Sequence, residues 1–298
     1  MAQLIKLDNY ISRYEQDLYH YPSQFSRLKK QNWQNLKKKW ESNDFTNTNS
    51  TMESDEYVSK WHWKNFFFKK EQEEMGNDEQ VLPNSEAHLK QFYLDMLFPF
   101  QLKWASTTLK RKSFLDRKYS DDFRLRYLLQ RIPDNHLVMY LPVFQLKHQP
   151  MDGEIMLISP VGVEIITFLE RFDNQTFIAG DDRGWFVEEN NIRTKILSPL
   201  ISLKRTEKVV RSIFKKAGLE FPIQKIVLSR SNHIDFQQEA YQTRYVGVEE
   251  HLTWLKEKQN LLSPIKRRQL QAANHLLSYC ETVSVQRSEW DEESQPFV

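Results

Sequence analysis

Residues 151–170, MDGEIMLISPVGVEIITFLE, decide the fold. Two short runs at 154–158 and 163–168 are rich in Ile, Val and Leu, and the turn SPVG at 159–162 separates them. Proline presets one turn dihedral and glycine tolerates a positive φ, so this pattern is typical of a β-hairpin. Two apolar strands side by side indicate a buried sheet. Most hairpins of this kind belong to a core, so the stretch alone indicates no function.

The composition predicts a globular protein that can bury a sizeable core, since 40% of the 298 residues are hydrophobic and 13% are aromatic. Its 42 Lys and Arg nearly balance 40 Asp and Glu, which gives a net charge of +2. The chain as a whole lacks the basicity of a dedicated nucleic-acid binder, so any such binding must be local. The 7 glycines are scattered and form neither G-x-G-x-x-G nor G-x-x-x-x-G-K-[ST], which excludes nucleotide-binding loops of those kinds.

The single cysteine, Cys280, excludes an internal disulfide and a Cys-rich zinc site, and it fits a reducing compartment. The N-terminal stretch MAQLIKLDNYISRYEQDLYHYP is charged throughout and has no apolar segment of signal-peptide length. Nowhere does the sequence contain a run of about 18 apolar residues. We therefore expect a cytoplasmic protein with no membrane span.

The N-terminal part is expected to be helical. Apolar residues recur at helical spacing from 4 to 40, with a break at Pro22, and again from 86 to 98, before an irregular stretch around Pro99. Residues 42–54 have the composition of a flexible link, and 57–68 are dense in aromatic residues, which indicates a docking surface. The expected organisation is a helical region at 1–110, an α/β core at 111–236, and C-terminal helices with a frayed acidic tail at 237–298.

The core is predicted to alternate strands and helices. Asp121 or Asp122 should open a helix that ends before Pro133, and strands are expected at 137–144, 184–187 and 222–229. Ser198-Pro199 should start a helix that runs to Lys216 and stops at Gly218. Helices are also expected at 248–258 and at 263–280, the latter capped by Ser263. The order of hairpin, helix and strand predicts an α/β fold with a small mixed sheet.

Two local concentrations of basic residues are candidates for nucleic-acid contacts through phosphates. The first lies in 103–131 and the second forms a stripe at helical spacing after residue 203. The candidate residues are Lys110, Arg111, Lys112, Arg124, Lys204, Lys208, Arg211 and Lys215. A solvated outer helix face is the commoner explanation of such a stripe, and both alternatives stay open.

The order of these elements resembles the nuclease-related domain family, called NERD, which belongs to the PD-(D/E)XK nuclease-like superfamily. The matching features are a helix opened by an acid, a strand, a hairpin with an S-P-x-G turn, and a helix introduced by Ser198-Pro199. They span roughly 121–236. The resemblance implies a restriction-endonuclease-like core with helical extensions at both ends.

Active members of that family carry an aspartate at the start of the first hairpin strand, and a glutamate and a lysine on the second. The carboxylates hold Mg²⁺, and the lysine orients or polarises the attacking water. Aligned on the shared turn, the aspartate position is Glu154, the glutamate position is Thr167 and the lysine position is Leu169. Asp122 corresponds to a further helix acid. Thr167 and Leu169 cannot supply the charges that the chemistry needs, so the resemblance implies a vestigial site and no catalytic residue.

Three functions remain open on this evidence. We expect a non-catalytic binding module for nucleic acid or a protein partner, with neither a metal nor another cofactor. The alternatives are a metal-dependent nuclease with a rearranged site around Asp122, Asp152 and Glu154, which would need Mg²⁺, and a structural interaction protein without nucleic-acid contact. The same acids are explained more simply as loop and capping residues.

Overall fold

The structure, a computed structural model, describes residues 1–42, 83–146 and 149–287. Three sequence predictions lie outside these residues: the link at 42–54 apart from its first residue, the aromatic segment at 57–68, and the acidic tail from 288.

The described residues form a mixed α/β protein. The helices are α1 (Tyr21–Glu41), α2 (Glu86–Trp104), α3 (Phe123–Arg131), α4 (Leu200–Lys216), α5 (Val248–Gln259) and α6 (Arg267–Leu277). The strands are β1 (Gln3–Leu7), β2 (Arg111–Lys112), β3 (Leu137–Tyr140), β4 (Val143–Gln145), β5 (Pro150–Asp152), β6 (Ile155–Ser159), β7 (Gly162–Phe168), β8 (Thr176–Ile178), β9 (Gly184–Glu189), β10 (Ile192–Leu197), β11 (Ile223–Leu228), β12 (Ile234–Asp235), β13 (Thr243–Val246) and β14 (Val285–Gln286).

The chain divides into two compact units, and the smaller one comprises Phe25–Pro99. In it α1 and α2 pack through aromatic residues: the ring centroids of Trp33 and Tyr93 lie 5.5 Å apart, and the Tyr93 hydroxyl donates to the Lys29 carbonyl at 2.6 Å. The indole N–H of Trp40 donates to the Pro83 carbonyl at 2.7 Å. These tryptophans therefore pack within the unit.

The larger unit comprises Met1–Gln24 and Phe100–Val298 and contains a six-stranded sheet in the order β1-β3-β6-β7-β11-β13. Strand β6 is antiparallel to both of its neighbours, and the remaining adjacent pairs are parallel. The predicted hairpin is confirmed, with Ile155 opposite Ile166 and Ser159 opposite Gly162. The Ser159 hydroxyl accepts the Val161 and Gly162 N–H groups and fixes the turn. The α/β prediction is thus confirmed.

Several predicted boundaries are confirmed at particular residues. Asp122 caps α3, and α4 ends before Gly218, whose φ of 61° continues no right-handed helix. The strand predicted at 137–144 is interrupted at Leu141, where φ is 47°, so its second half becomes β4 and pairs with β5. The predicted strands at 184–187 and 222–229 correspond to β9 and β11.

The helix predicted to begin at residue 4 is wrong, because Gln3–Leu7 forms β1, parallel to β3. All five residues are buried, so no alternation of polar and apolar side chains marked a strand. The Gln101 amide holds this strand from the end of α2, donating to the Ala2 carbonyl and accepting the Leu4 N–H at 2.7 Å each. Tertiary contacts therefore decide its conformation.

Two further local predictions are wrong. Helix α2 continues through Pro99, because its following turn is buried and Gln101 is hydrogen-bonded to β1. Helix α6 begins at Arg267 and is not capped by Ser263. Its Gln269 side chain accepts the Lys266 N–H and donates to the Ile158 carbonyl, so contact with the sheet sets where the helix starts.

The helices cover both faces of the six-stranded sheet. Lys225 lies beside Ile165 in register and reaches Glu207 of α4 at 2.5 Å, which places α4 on that face. Glu164 on the opposite face pairs with Lys258 of α5. Two strands of this sheet, β1 and β13, come from outside residues 111–236. The predicted division of the chain at residues 110 and 236 stays a prediction.

A second sheet, in the order β10-β9-β8-β12, is inserted mainly between β7 and α4. Its residues Phe177 and Trp185 are fully buried. The Trp185 ring contacts the Tyr245 ring of β13 edge-on, with the ring centroids 5.1 Å apart. The insertion therefore packs on the main sheet and stands at the carboxyl end of β7. None of the helices within the described ranges has the combination of length and apolarity that crossing a bilayer requires.

Replacing Ile165 by Asp should unfold the larger unit. Ile165 is fully buried in β7, and an unpaired carboxylate there should cost on the order of several kcal/mol, comparable with the whole stability of a domain. The matched control is Val161→Asp in the turn, where the side chain is 56% exposed. Circular dichroism melting should show loss of the folded state for the first variant and little change for the second. Equal melting temperatures would contradict the assignment of Ile165 to the core.

Lowering the pH from 7 to 5 should destabilise the protein through His136. Burial, with smaller effects of Lys258 and the N-terminus, lowers the pKa of His136 from 6.5 to about 3. Its neutral form is therefore favoured in the folded state, and stability is complete above pH 6.5 and falls below it. The unfolding free energy should drop by about 2 kcal/mol between pH 6.5 and 5.

Urea denaturation at several pH values measures this slope. A His136→Leu variant should have a flatter pH dependence, while His233→Leu, at an exposed position, should keep the parental one. An unchanged slope in His136→Leu would show that other groups control the acid response.

Candidate functional site

The structure assigns Asp122 to helix capping. Its Oδ1 accepts the N–H groups of Arg124 and Leu125 at 2.9 and 3.0 Å, and its Oδ2 accepts the Tyr140 hydroxyl at 2.6 Å. Both carboxylate oxygens are therefore engaged by protein donors at the N-terminus of α3, where a negative charge is also favoured by the helix dipole.

The other positions that the family resemblance singles out lie at the open end of the hairpin. Glu154 precedes β6, and its N–H donates to the Thr206 hydroxyl of α4 at 3.1 Å. Thr167 lies beside Val227 on the α4 face of the sheet, and its buried hydroxyl has no hydrogen-bond partner among the described residues. Leu169 follows β7, and its N–H continues the ladder to the Leu228 carbonyl.

These residues do not fit the Mg²⁺ that the family resemblance implies. Thr167 and Leu169 bring neither the carboxylate nor the cation, and Asp122 is occupied by its own helix. Within the described ranges, no three His, Cys, Asp or Glu side chains are grouped so that they could hold a metal ion. The rearranged site around Asp122, Asp152 and Glu154 is therefore not assembled as a metal centre.

The basic residues before α3 lie at the β2–β14 pair. Arg111 donates to the Ser284 carbonyl at 3.1 Å, and the Lys112 ammonium lies 5.8 Å from the centre of the Phe114 ring. Lys110 is exposed and accepts the Arg287 N–H through its carbonyl. These three basic residues therefore lie together on the surface, at and just before β2.

The four basic candidates on α4 are exposed, and two of them form ion pairs. Lys204 pairs with Asp182 at 2.5 Å, and Arg211 pairs with Glu207 at 2.7 Å. Lys208 and Lys215 have no ion-pair partner among the described residues. The stripe thus follows one solvated helix face, as the simpler alternative predicted.

Arg124 is separated from these candidates and joins a different group. It lies in the first turn of α3, and its Nε donates to Oε2 of Glu170 at 3.1 Å. Arg230, which follows β11, binds the same carboxylate through Nε at 2.5 Å and Nη2 at 3.2 Å. The Glu170 side chain is only 9% exposed. A buried carboxylate here is compensated by two guanidinium groups from different elements.

Aromatic rings surround these guanidinium groups. The Cζ atom of Arg230 lies 4.7 Å from the Tyr127 ring centre, 5.0 Å from Phe123 and 5.7 Å from Phe168. Such cation–π contacts stabilise the charged form and orient its plane. We call Phe123, Arg124, Tyr127, Phe168, Glu170 and Arg230 the arginine–aromatic cluster.

The cluster borders an open depression of about 650 Å³ at the carboxyl ends of β7 and β11. Arg171 and Phe172 complete its lining together with Ser231. Two guanidinium groups bind one carboxylate there, and Arg171 adds a third basic residue to the lining, so positive charge is in excess. The Phe172 ring is 77% exposed and the Phe123 ring 56% exposed. The depression therefore offers cationic donors beside uncovered aromatic faces.

Buried Asn232 holds the two loops that carry these residues. Its Oδ1 accepts the Arg171 N–H at 2.9 Å, and its Nδ2 donates to the Phe172 and Gln175 carbonyls at 2.7 and 2.9 Å. Its own N–H donates to the Ser229 hydroxyl. One fully buried amide thus fixes the loop after β7 against the loop after β11.

Tyr127 and His251 extend the cluster below its surface, with Oη and Nε2 only 2.5 Å apart. Burial raises the pKa of Tyr127 to about 12, although Arg230 and Arg131 oppose this. Burial and then Arg230 lower the pKa of His251, against the opposite effect of Glu170. Both side chains are therefore neutral at pH 7, and this neutral pair supports the guanidinium without adding charge.

Of the residues in the cluster, Arg124 alone was a binding candidate from the sequence. Glu170 meets Arg124 of α3, whereas Thr167 lies on the α4 face of the sheet. Arg230 and Asn232 follow a predicted strand, and polar residues after a strand are the available signal for such a site.

Comparisons with known proteins give little further information. A protein described as RNA 2',3'-cyclic phosphodiesterase from Geobacillus stearothermophilus is 56% identical over 41 residues, which is 14% of this chain. The matched segment spans 13% of that relative, far less than two thirds of its length. No family model matches the chain. No solved structure is significantly similar to it.

A Glu170→Gln variant should lose stability, because two guanidinium groups would keep their positions without a carboxylate to neutralise them. The expected loss is about 1–3 kcal/mol in unfolding free energy. The control is Glu188→Gln, which breaks an exposed pair with Arg193 and should cost less than about 1 kcal/mol. Urea titration at one pH measures both, and equal losses would show that Glu170 has no special structural role.

Proposed function

We propose that this protein is a non-catalytic nucleic-acid-binding module built on a nuclease-like α/β core. The observation that carries the proposal is the depression beside the arginine–aromatic cluster, where Arg124, Arg171 and Arg230 stand beside the exposed rings of Phe123 and Phe172. Guanidinium groups bind phosphates, and exposed rings stack on bases. Cationic groups and exposed rings side by side match the phosphates and bases of a nucleic acid. This combination therefore favours a nucleic acid over a protein partner.

The order of elements supports the likeness to the nuclease-related family. Helix α3 is followed by β3, the hairpin β6–β7, helix α4 and β11, which is the order that the resemblance requires. These strands are adjacent in one mixed sheet, with β6 antiparallel to its neighbours. In such sheets ligands bind beyond the carboxyl ends of parallel strands, where the arginine–aromatic cluster lies.

The absence of catalysis is supported by the residues at the family's chemical positions. Thr167 and Leu169 lack the charges that hold a metal and polarise water, and Asp122 is engaged in capping. Each such missing group removes several kcal/mol of transition-state stabilisation. Binding does not depend on these positions, because the arginines come from α3 and from the loops after β7 and β11.

Single-stranded nucleic acid is the favoured ligand. Phe123 and Phe172 can stack only on bases that are not already stacked in a duplex, and positively charged grooves with exposed rings bind single strands with little sequence preference. We also propose a cytoplasmic location, which the single cysteine supports, because a chain with Cys280 alone has no internal disulfide to form in an oxidising compartment.

Fluorescence anisotropy with labelled single-stranded DNA and RNA tests the proposal. Binding should weaken steeply as the salt concentration increases. Association releases counterions from the phosphates, and the free energy gained by this release shrinks as salt is added. Phe172→Ala should weaken binding about tenfold or more through loss of base stacking, without changing the melting temperature. Phe114→Ala, at another exposed ring beside Lys112, should bind like the parent.

The same oligonucleotides incubated with Mg²⁺ or Mn²⁺ should remain intact. Metal-dependent cleavage that disappears in Glu154→Ala would overturn the non-catalytic proposal in favour of a nuclease. Loss of binding in Phe114→Ala but not in Phe172→Ala would move the interface to the loop at Lys110, Arg111 and Lys112. Absence of binding at low salt would refute the nucleic-acid function and leave a protein partner as the explanation.

A further inference from the structure

A second cavity lies beside the first and shares Arg171 with it. Its volume is about 270 Å³, and it is lined by one face of the inserted sheet, including Val187, Glu189, Ile192 and Thr194. Strand register places these residues on the same face, since Glu189 lies opposite Ile192 and Val187 opposite Thr194. Arg171, which is an exposed residue, therefore lines both cavities.

The second cavity differs in chemistry from the first. Its apolar lining comes from Val187, Ile192 and Ile196, which suits a flat ring. Its lining includes one carboxylate, that of Glu189, which accepts Gln175 Nε2 at 2.6 Å and Asn174 Nδ2 at 2.7 Å.

These two hydrogen bonds lower the pKa of Glu189, so its carboxylate is ionised at pH 7. A fixed carboxylate repels phosphate, and acceptor oxygens favour a ligand with N–H donors. The second cavity is therefore suited to a base that carries an exocyclic amino group.

We propose that the two cavities bind consecutive nucleotides of one single strand. The first base stacks on Phe123 or Phe172, the phosphate between the nucleotides lies on Arg171, and the second base enters the cavity beside Glu189. Because its edge meets acceptors, adenine, cytosine and guanine are preferred there over uracil and thymine. This inference rests on the proposed function and specifies which part of the ligand each cavity takes.

Competition experiments test the length requirement. In the assay, the full chain first binds a labelled single strand of about 12 nucleotides. Unlabelled adenosine monophosphate, or the 5′-phosphorylated dinucleotide of adenosine, is then added as a competitor. The dinucleotide should compete at least about tenfold better, since it alone fills both cavities. Inorganic phosphate should compete more weakly than either.

Variants on opposite faces of the same strands test the residues. Arg171→Gln should weaken binding of the 12-nucleotide strand about tenfold, whereas Arg193→Gln, on the other face of β10, should not. Glu189→Gln should abolish the preference of the protein for oligo-adenosine or oligo-cytidine over oligo-uridine. Its neighbour Glu188 faces the other way, so Glu188→Gln should preserve that preference. Melting temperatures confirm that each variant is folded.

The outcomes separate this inference from the proposed function. If Phe172→Ala weakens binding while Arg171→Gln and Glu189→Gln behave like the parent, the nucleic-acid function stands and the two-nucleotide site is refuted. Equal competition by the monophosphate and the dinucleotide would also refute it. If no single strand binds at low salt, the proposed function itself has failed.

Discussion

The carboxylate of Glu170 is the constraint on which the site depends. It lies at the carboxyl end of β7 and is 9% exposed, so its charge must be compensated by protein groups. Arg124 supplies one hydrogen bond from α3 and Arg230 supplies two from the loop after β11. Three segments that are distant in sequence are thereby fixed together. Because two cations share one anion, positive charge remains in excess at the surface.

The charge of these protein groups is opposite in sign to the charge of the protein groups at the site of a metal-dependent nuclease. Such a site collects carboxylates to hold a cation, and the cation then contacts the phosphate. In this chain the hairpin positions Thr167 and Leu169 are uncharged, and arginines nearby supply positive charge directly. Under the proposed function, a phosphate is held by N–H groups that Glu170 leaves unused, because each guanidinium has five donors. Binding is then possible without the groups needed for cleavage.

The inserted sheet extends this surface. Asn232 ties the loop after β7 to the loop after β11, and the insertion begins directly after the first of these loops. Arg171 lies where the main sheet meets the insertion and lines a cavity on each side. The lining on one side is cationic and aromatic, whereas on the other side it combines the Glu189 carboxylate with apolar residues. The two cavities therefore differ in chemistry.

The sequence by itself determined the elements whose signals are local. The SPVG turn specified the hairpin, Asp122 the start of α3, and Gly218 the end of α4, because each depends on backbone dihedrals or on capping within a few residues. The apolar runs identified β3, β6, β7 and β11 of the central sheet, because a short run of branched apolar residues is itself a local strand signal.

Only the tertiary structure decided β1, the start of α6 and the site. Gln3–Leu7 is buried on both faces, so its strand conformation follows from pairing with β3 and from Gln101, about a hundred residues away. The ion pairs that Lys204 and Arg211 form on a solvated helix face were likewise visible only in the structure. Arg124, Glu170 and Arg230 meet because parallel strands end at one edge of the sheet, and no local pattern in the sequence encodes that meeting.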